Sequence, residues 1–277
     1  MIDTQVILNV LLHILPVLYA IAFFDYVLLF FTEENLVRRL ARPLLFVAVG
    51  TNFVFLLAFT VYFEHIPMVN VYQVLGAVGF AVAATYLWVE TRSGTPYTGP
   101  FILFLVLSCQ VVNTLFPRLD RYVPEVLQDR LFSYHVVAAV LGYSGFVVAA
   151  VYGFLYLVLF RAIRRGKFGI FFRRLPSLDI LDRMNYYAAA AGFAFLTLSI
   201  LIGMVWSARL FDGVHLDAKV TAALVTWVVY GASLAMRRFS SWRGPRMAYS
   251  SMLGFVVILF SIFGVNFFLT KFHEFTS

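Results

Sequence analysis

Charge is scarce in this chain. Its 21 basic and 14 acidic residues make up only 13% of 277 positions, about half the share of an ordinary soluble domain. So few charges cannot cover a water-facing surface, and a soluble globular fold is excluded. Cysteine is scarcer still. Cys109 is the single one, which excludes an internal disulfide, a Cys-x-x-Cys-His haem attachment site and a thiolate metal cluster; inside an apolar stretch it reads as an inert core thiol. A phosphate-cradling glycine loop, a nucleophile elbow and paired carboxylates are also missing. There is no low-complexity stretch and no internal repeat. The first apolar run has Asp3 rather than a basic segment before it and no small-residue cleavage site after it, so it reads as a retained span and not a cleaved leader.

What the chain has instead is apolar length. Hydrophobic residues reach 62%, and eight apolar runs stand out at 6–31, 44–63, 71–89, 101–116, 134–160, 186–206, 220–236 and 247–269. Each is near the roughly 20 residues that cross a bilayer as a helix. The expectation is an all-α, polytopic membrane protein: one transmembrane domain over 1–277 with eight spanning helices. An even number of spans puts both termini on the same side.

The basic residues say which side. Fifteen of the 21 fall in the loops after the first, third, fifth and seventh runs: Arg38, Arg39, Arg42, Arg92, Arg161, Arg164, Arg165, Lys167, Arg173, Arg174, Arg183, Arg237, Arg238, Arg243 and Arg246. The other six are Arg118, Arg121, Arg130, Arg209, Lys219 and Lys271. The positive-inside rule then places the larger set in the cytoplasm and both termini outside it. The net charge of +7 is therefore topology rather than a nucleic-acid footprint. One inner loop, FGIFFRRLPSLDILDRMN, mixes aromatics with arginines and reads as an interfacial helix on the lipid surface, a docking place for a cytoplasmic partner.

With that orientation, all five histidines lie in the outer half of the membrane or on its outer surface: His13, His65, His135, His215 and His273. Imidazole is the side chain most used to ligate haem iron, zinc or copper. An interfacial histidine also simply bonds water or a backbone carbonyl, and both readings stand for each position. Beside His135 in the fifth run, Ala138, Gly142, Gly145, Ala149 and Gly153 recur at spacings of four, three, four and four. Such a stripe serves either close helix packing or the approach of a flat macrocycle.

The stretches LDRMNYYAAAAGFAFLTLSILIGMVW, HLDAKVTAALVTWVVYG and WRGPRMAYSSMLGFVVILFSIFGVNFFLTKFHEF resemble the cytochrome c assembly family of haem-handling membrane proteins. The segment IPMVNVYQ resembles that family's Pro-x-x-Asn loop before the third helix. Size and short outer loops look most like its HemX-type members, with CcsA- and ResC-type haem-delivery proteins as longer relatives. The resemblance implies haem b held non-covalently at the outer surface between two histidines flanking a tryptophan-rich loop. The matching positions are His135, in SYHVVAAVLGYSGF, and His273, in FLTKFHEF; bound from both sides, one iron needs no covalent link. Trp206 matches the tryptophan closing the preceding helix, Asp217 and Lys219 fall where the family has Trp-Asp-x-Lys, and Trp227 and Tyr230 match aromatics of the following helix. The loop itself, SARLFDGVHLDAK, has no tryptophan, and Leu216 stands where one would precede Asp217. Where a helix begins, Asp217 also reads as a capping carboxylate over free amides. Guanidinium forks onto carboxylates, so Arg130, five residues before His135, is the preferred partner for a haem propionate, although interfacial arginines also snorkel to headgroups.

Three functions follow as expectations. The first is haem trafficking in cytochrome c biogenesis in a bacterial cytoplasmic membrane, without enzymatic activity, beside a ResB- or Ccs1-type membrane partner and apocytochrome c. The second is HemX-type restraint of glutamyl-tRNA reductase, the first committed enzyme of tetrapyrrole synthesis. The third is a bis-histidine redox subunit passing electrons to quinone. Asp25, Asn52, Gln110, Asn113 and Asn266 lie in apolar runs, where hydrogen bonding between helices is the preferred use and Asp25 is expected to reach water.

Overall fold

The computed structural model describes residues 4–32, 34–116, 129–166, 168–210, 218–240 and 242–260. Among them every regular element is a helix: α1 (Thr4–Thr32), α2 (Asn35–Phe63), α3 (Val71–Ser93), α4 (Gly99–Leu115), α5 (Arg130–Arg164), α6 (Ile170–Arg174), α7 (Leu178–Leu210), α8 (Ala218–Phe239) and α9 (Pro245–Leu259). Six of these, α1, α2, α3, α5, α7 and α8, are long and apolar enough to cross a membrane, and α4 and α9 are shorter apolar helices. The chain divides into two compact units, Met1–Ser133 with Phe168–Pro176, and Tyr134–Lys167 with Ser177–Ser277.

In the first unit α1 buries Leu8, Leu12, Leu15, Tyr19, Ala22, Tyr26 and Leu29, and α2 buries Val37, Ala41, Leu45, Ala48, Asn52, Phe55 and Phe59. These are strict three-and-four spacings, one face of each helix. Yet the opposite faces are not polar: Val17, Phe24, Phe46 and Val54 are each more than half exposed. A helix apolar all round belongs in lipid, and this is the fold's main imprint of a membrane.

Several polar groups inside the unit are partnered across helices. Asn52 Nδ2 donates to the Tyr19 hydroxyl at 3.2 Å and Gln110 Nε2 to the Gly76 carbonyl at 3.0 Å, while Asn113 packs on Gly76. Glu90, 1% exposed, accepts from the Tyr26 hydroxyl at 2.6 Å and from Arg42 Nε at 3.1 Å. Asp25 is half-buried, and its Oδ2 is enclosed and makes no hydrogen bond among the described residues. Asn70, of the Pro-x-x-Asn segment, caps α3 by accepting from the backbone N–H groups of Tyr72 at 3.1 Å and Gln73 at 3.0 Å. Gln73 returns the favour, accepting from the Val69 amide at 3.0 Å, so this motif is a helix start with its free amides satisfied.

The loop expected to lie along the lipid surface is shorter than its sequence suggests. Only α6, five residues with no buried side chain, is separate. Arg174 Nη2 ties it to the Phe31 carbonyl at 2.8 Å, and Phe171 packs near Phe30 and Phe101. From Leu178 onward the same stretch is the first two turns of α7. Its polar residues face partners within the second unit: Asp182 pairs with Arg237 at 2.8 Å, and Asn185 donates to the Ala149 carbonyl at 2.8 Å and accepts from Ser251 at 3.0 Å.

Candidate functional site

The site is built on the second unit by α5 lying against α7. Gly142 faces Gly192 and Leu196, Gly145 faces Ala188 and Gly192, and Gly153 faces Asn185 and Ala248, so rising positions on α5 meet falling ones on α7 and the two run antiparallel. A methyl group on Gly145 would stand 2.7 Å from the Gly192 Cα and 2.9 Å from the Ala188 carbonyl oxygen. No side chain fits there. For these positions the small-residue stripe is close helix packing, and no flat ligand lies between backbones that near.

About two turns before Gly142 along α5, the same antiparallel seam reaches His135. Its Nδ1 lies 2.8 Å from the Ser199 carbonyl oxygen on α7, and the Ser199 hydroxyl, 3.1 Å from Nδ1, donates to the His135 carbonyl at 3.0 Å. A carbonyl can only accept, so Nδ1 is the donor, and in the neutral ring the lone pair then stands on Nε2. Nε2 makes no hydrogen bond among the described residues. This is how a metal-ligating histidine is prepared: one nitrogen fixed by backbone, the other free to donate. The ring seats on Gly203, where a methyl group would come within 2.7 Å of Nδ1 and 2.8 Å of Cε1. Ser199 and Gly203, four apart on one helix face, were not singled out by sequence. The readable signal is S-x-x-x-G-x-x-W within LTLSILIGMVW, which also puts Trp206 seven residues from Ser199 and on nearly the same face.

The other expected residues scatter. Arg130 is exposed at the first turn of α5, and five residues turn a helix by about 140° beyond one full revolution, so it stands on a different face from His135. Trp227 Nε1 donates to the Thr197 hydroxyl at 2.8 Å and its ring stacks on Phe193. Tyr230 stacks on Phe146 with centroids 3.7 Å apart and donates its hydroxyl to the Ser251 carbonyl at 3.0 Å. These two aromatics bind α8 to α5, α7 and α9 and do not border His135. Helix α8 begins at Ala218, the residue after Asp217. His215, Asp217 and His273, like the side chain of Lys219, lie outside the described residues.

The two histidines described in the first unit also turn Nδ1 to a backbone carbonyl, but one near in sequence rather than on another helix. His13, exposed on α1, lies with Nδ1 2.7 Å from the Asn9 carbonyl, a local helical bond. His65 is 7% exposed, edge-on to Phe59, with Nδ1 2.9 Å from the Ile66 carbonyl and Nε2 buried without a hydrogen bond among the described residues. No group of three or more metal-ligating side chains occurs among the described residues.

Comparison with known proteins extends well beyond this site. A cytochrome c biogenesis protein CcsA of Guillardia theta is 29% identical over 223 residues, covering 73% of this chain and 74% of that one. Another CcsA, of Chlamydomonas reinhardtii, is 28% identical over 214 residues, with 73% of this chain and 58% of its own length matched. Protein HemX of Bacillus subtilis is 24% identical over 271 residues, spanning 94% of this chain and 95% of its own. Residues 13–273 match the family described as cytochrome C assembly protein, a span that runs from α1 past the last described helix, and the chain belongs to that family.

Proposed function

We propose that the chain handles haem at the outer face of a bacterial cytoplasmic membrane, in haem trafficking for cytochrome c biogenesis. Haem b is held without a covalent link, with His135 as one axial ligand and His273 as the other. The observation that carries this reading is the state of His135: Nδ1 held by the Ser199 carbonyl at 2.8 Å, a ring seated on Gly203, and Nε2 left with its lone pair. Iron presents two axial positions for imidazole nitrogens. Trp206 offers an aromatic edge along the same face of α7, and Asp217 and Lys219 are assigned to the same site by their match to the family's acidic and basic pair. Arg130 reaches a propionate only by extending round the first turn of α5. The family supports a haem role, and the relatives named for cytochrome c biogenesis support its direction. A ResB- or Ccs1-type membrane partner and apocytochrome c fit as the recipients.

One observation favours a second reading. The match to Protein HemX runs end to end, whereas the two CcsA proteins extend beyond the matched region. That favours the regulatory role, with glutamyl-tRNA reductase restrained from the cytoplasmic face. Deleting the gene then raises the amount of that enzyme while cytochrome c levels hold, whereas the trafficking role lowers cytochrome c.

An absorption spectrum of detergent-purified protein with a pyridine haemochrome assay tests the haem site. A Soret band is expected, with haem content reduced by His135→Ala and by His273→Ala and little changed by His65→Ala. Wild-type content and spectrum in both of the first two variants would overturn the assignment. Electron transfer from the bound haem to quinone would turn the reading toward a redox subunit.

A further inference from the structure

The far end of the second unit, remote from His135, contains a cavity of about 1010 Å³, at the upper limit of ordinary ligand pockets of roughly 300–1,000 Å³. Tyr156 of α5, Asp182 and Tyr186 of α7, Arg237 and Arg238 of α8, and Arg243 before α9 line it. With Arg183 and Asp179 also in its wall, four guanidinium groups face two carboxylates.

The balance is more one-sided than that count. Asp182 is spent: Oδ2 pairs with Arg237 Nη2 at 2.8 Å and Oδ1 accepts from the Gly244 amide at 2.9 Å. Gly244 adopts φ +67° with the Tyr156 hydroxyl pressed against the position of a side chain, so a tight turn holds this wall in place. Arg237 is fixed beneath as well, its guanidinium 4.6 Å from the Tyr186 ring centroid and its side chain only 11% exposed. Its Nη1 is buried and without a hydrogen-bond partner among the described residues. A buried charged donor lacking an acceptor is costly, and the residue that carries it lines a cavity with surplus positive charge.

We propose that this cavity binds a phosphate-bearing anion, with Arg238 and Arg243 as its donors and Arg237, held beneath them, adding its charge. A carboxylate is satisfied by one guanidinium fork, and Arg237 already gives a donor to Asp182. A phosphate offers oxygens in several directions, one for each arginine that converges here. The ligand is either the headgroup of an anionic phospholipid, which basic pockets between membrane helices take up, or a soluble phosphate ester. The proposal does not depend on haem.

The test uses full-length protein in detergent, following thermal unfolding during titration with phosphatidylglycerol, a galactosyl diacylglycerol without phosphate, oleate, and glycerol 3-phosphate. Phosphatidylglycerol is expected to stabilise the protein where galactolipid and oleate do not; if glycerol 3-phosphate does so instead, the site holds and its ligand is soluble. Arg238→Gln and Arg243→Gln, both at exposed residues, should each weaken the response about tenfold, the loss of roughly one charge-assisted hydrogen bond. Arg39→Gln, an equal loss of charge in the first unit, should leave it unchanged. Stabilisation by oleate as strong as by phosphatidylglycerol, no response to either phosphate, or an equal loss in Arg39→Gln would overturn the proposal.

Discussion

A histidine becomes a ligand through what holds its other nitrogen. In His135 that partner is a main-chain carbonyl, Ser199 O, which no side-chain substitution at Ser199 removes. Two neighbouring changes therefore separate cleanly. Ser199→Ala deletes only the hydroxyl that donates to the His135 carbonyl, costs about 1 kcal/mol of stability, and leaves haem content at the wild-type level. Gly203→Ala puts a methyl group 2.7 Å from Nδ1, so the ring must swing off α7. Haem affinity should fall roughly tenfold, the lower range for disturbing the groups that orient a metal ligand, while the far-ultraviolet circular dichroism stays helical. Equal haem content in both variants would mean that the seat on α7 does not position the ligand. His65 offers the contrast, because its imidazole is enclosed by Phe59 and Phe63 and serves the loop that follows α2.

At the scale of helices, cost depends on what a glycine faces. Gly145→Ala pushes α5 and α7 apart along their closest approach, and overpacking of this kind costs about 1–3 kcal/mol. Gly50→Ala on α2 meets nothing within 4 Å and should be neutral or stabilising by up to about 1 kcal/mol, since alanine loses less backbone freedom in a helix. Thermal unfolding in detergent checks the pair, and a lower midpoint for Gly50→Ala than for Gly145→Ala would contradict the packing argument. The same helices mark how far the sequence could be read. Apolar runs located the long helices and their type, because burial and lipid both demand apolar side chains. They missed the ends. The run at 44–63 stops where Arg42 and Pro43 begin, but α2 starts at Asn35, since Val37 and Ala41 are buried while Arg38 and Arg39 face outward. The start of α7 was misread as interfacial for a related reason: Asp182 and Asn185 look like surface residues until Arg237, Gly244 and Ser251 arrive from other helices. Of the candidate site, the sequence supplied His135 and Trp206 but not Ser199 or Gly203, because a backbone acceptor and an absent side chain leave no motif of their own.

For the whole molecule the governing quantity is where the arginines end up. In the first unit, Arg42 at the start of α2 reaches Glu90 at the end of α3, and Tyr26 near the end of α1 meets the same carboxylate, so these helix ends gather at one pole. In the second, Arg237 at the end of α8 pairs with Asp182 at the start of α7, and Arg161 on α5 donates to the Tyr249 hydroxyl on α9 at 3.3 Å; these ends likewise share one pole. Each unit thus concentrates its arginines at one end, as a helical bundle does when loop charge sets its direction in the membrane. We propose the orientation that the positive-inside rule gives, with Arg174 in the cytoplasm and the chain after the last span outside. An alkaline phosphatase fused after Ser277 should be active and one fused after Arg174 inactive, with a cytoplasm-active reporter giving the opposite pattern at each position. If the two fusions reverse, His135 and the arginine-lined cavity exchange sides. Haem would then be held toward the cytoplasm, and delivery to an outer apocytochrome c from this site would be lost as an explanation of the chain's function.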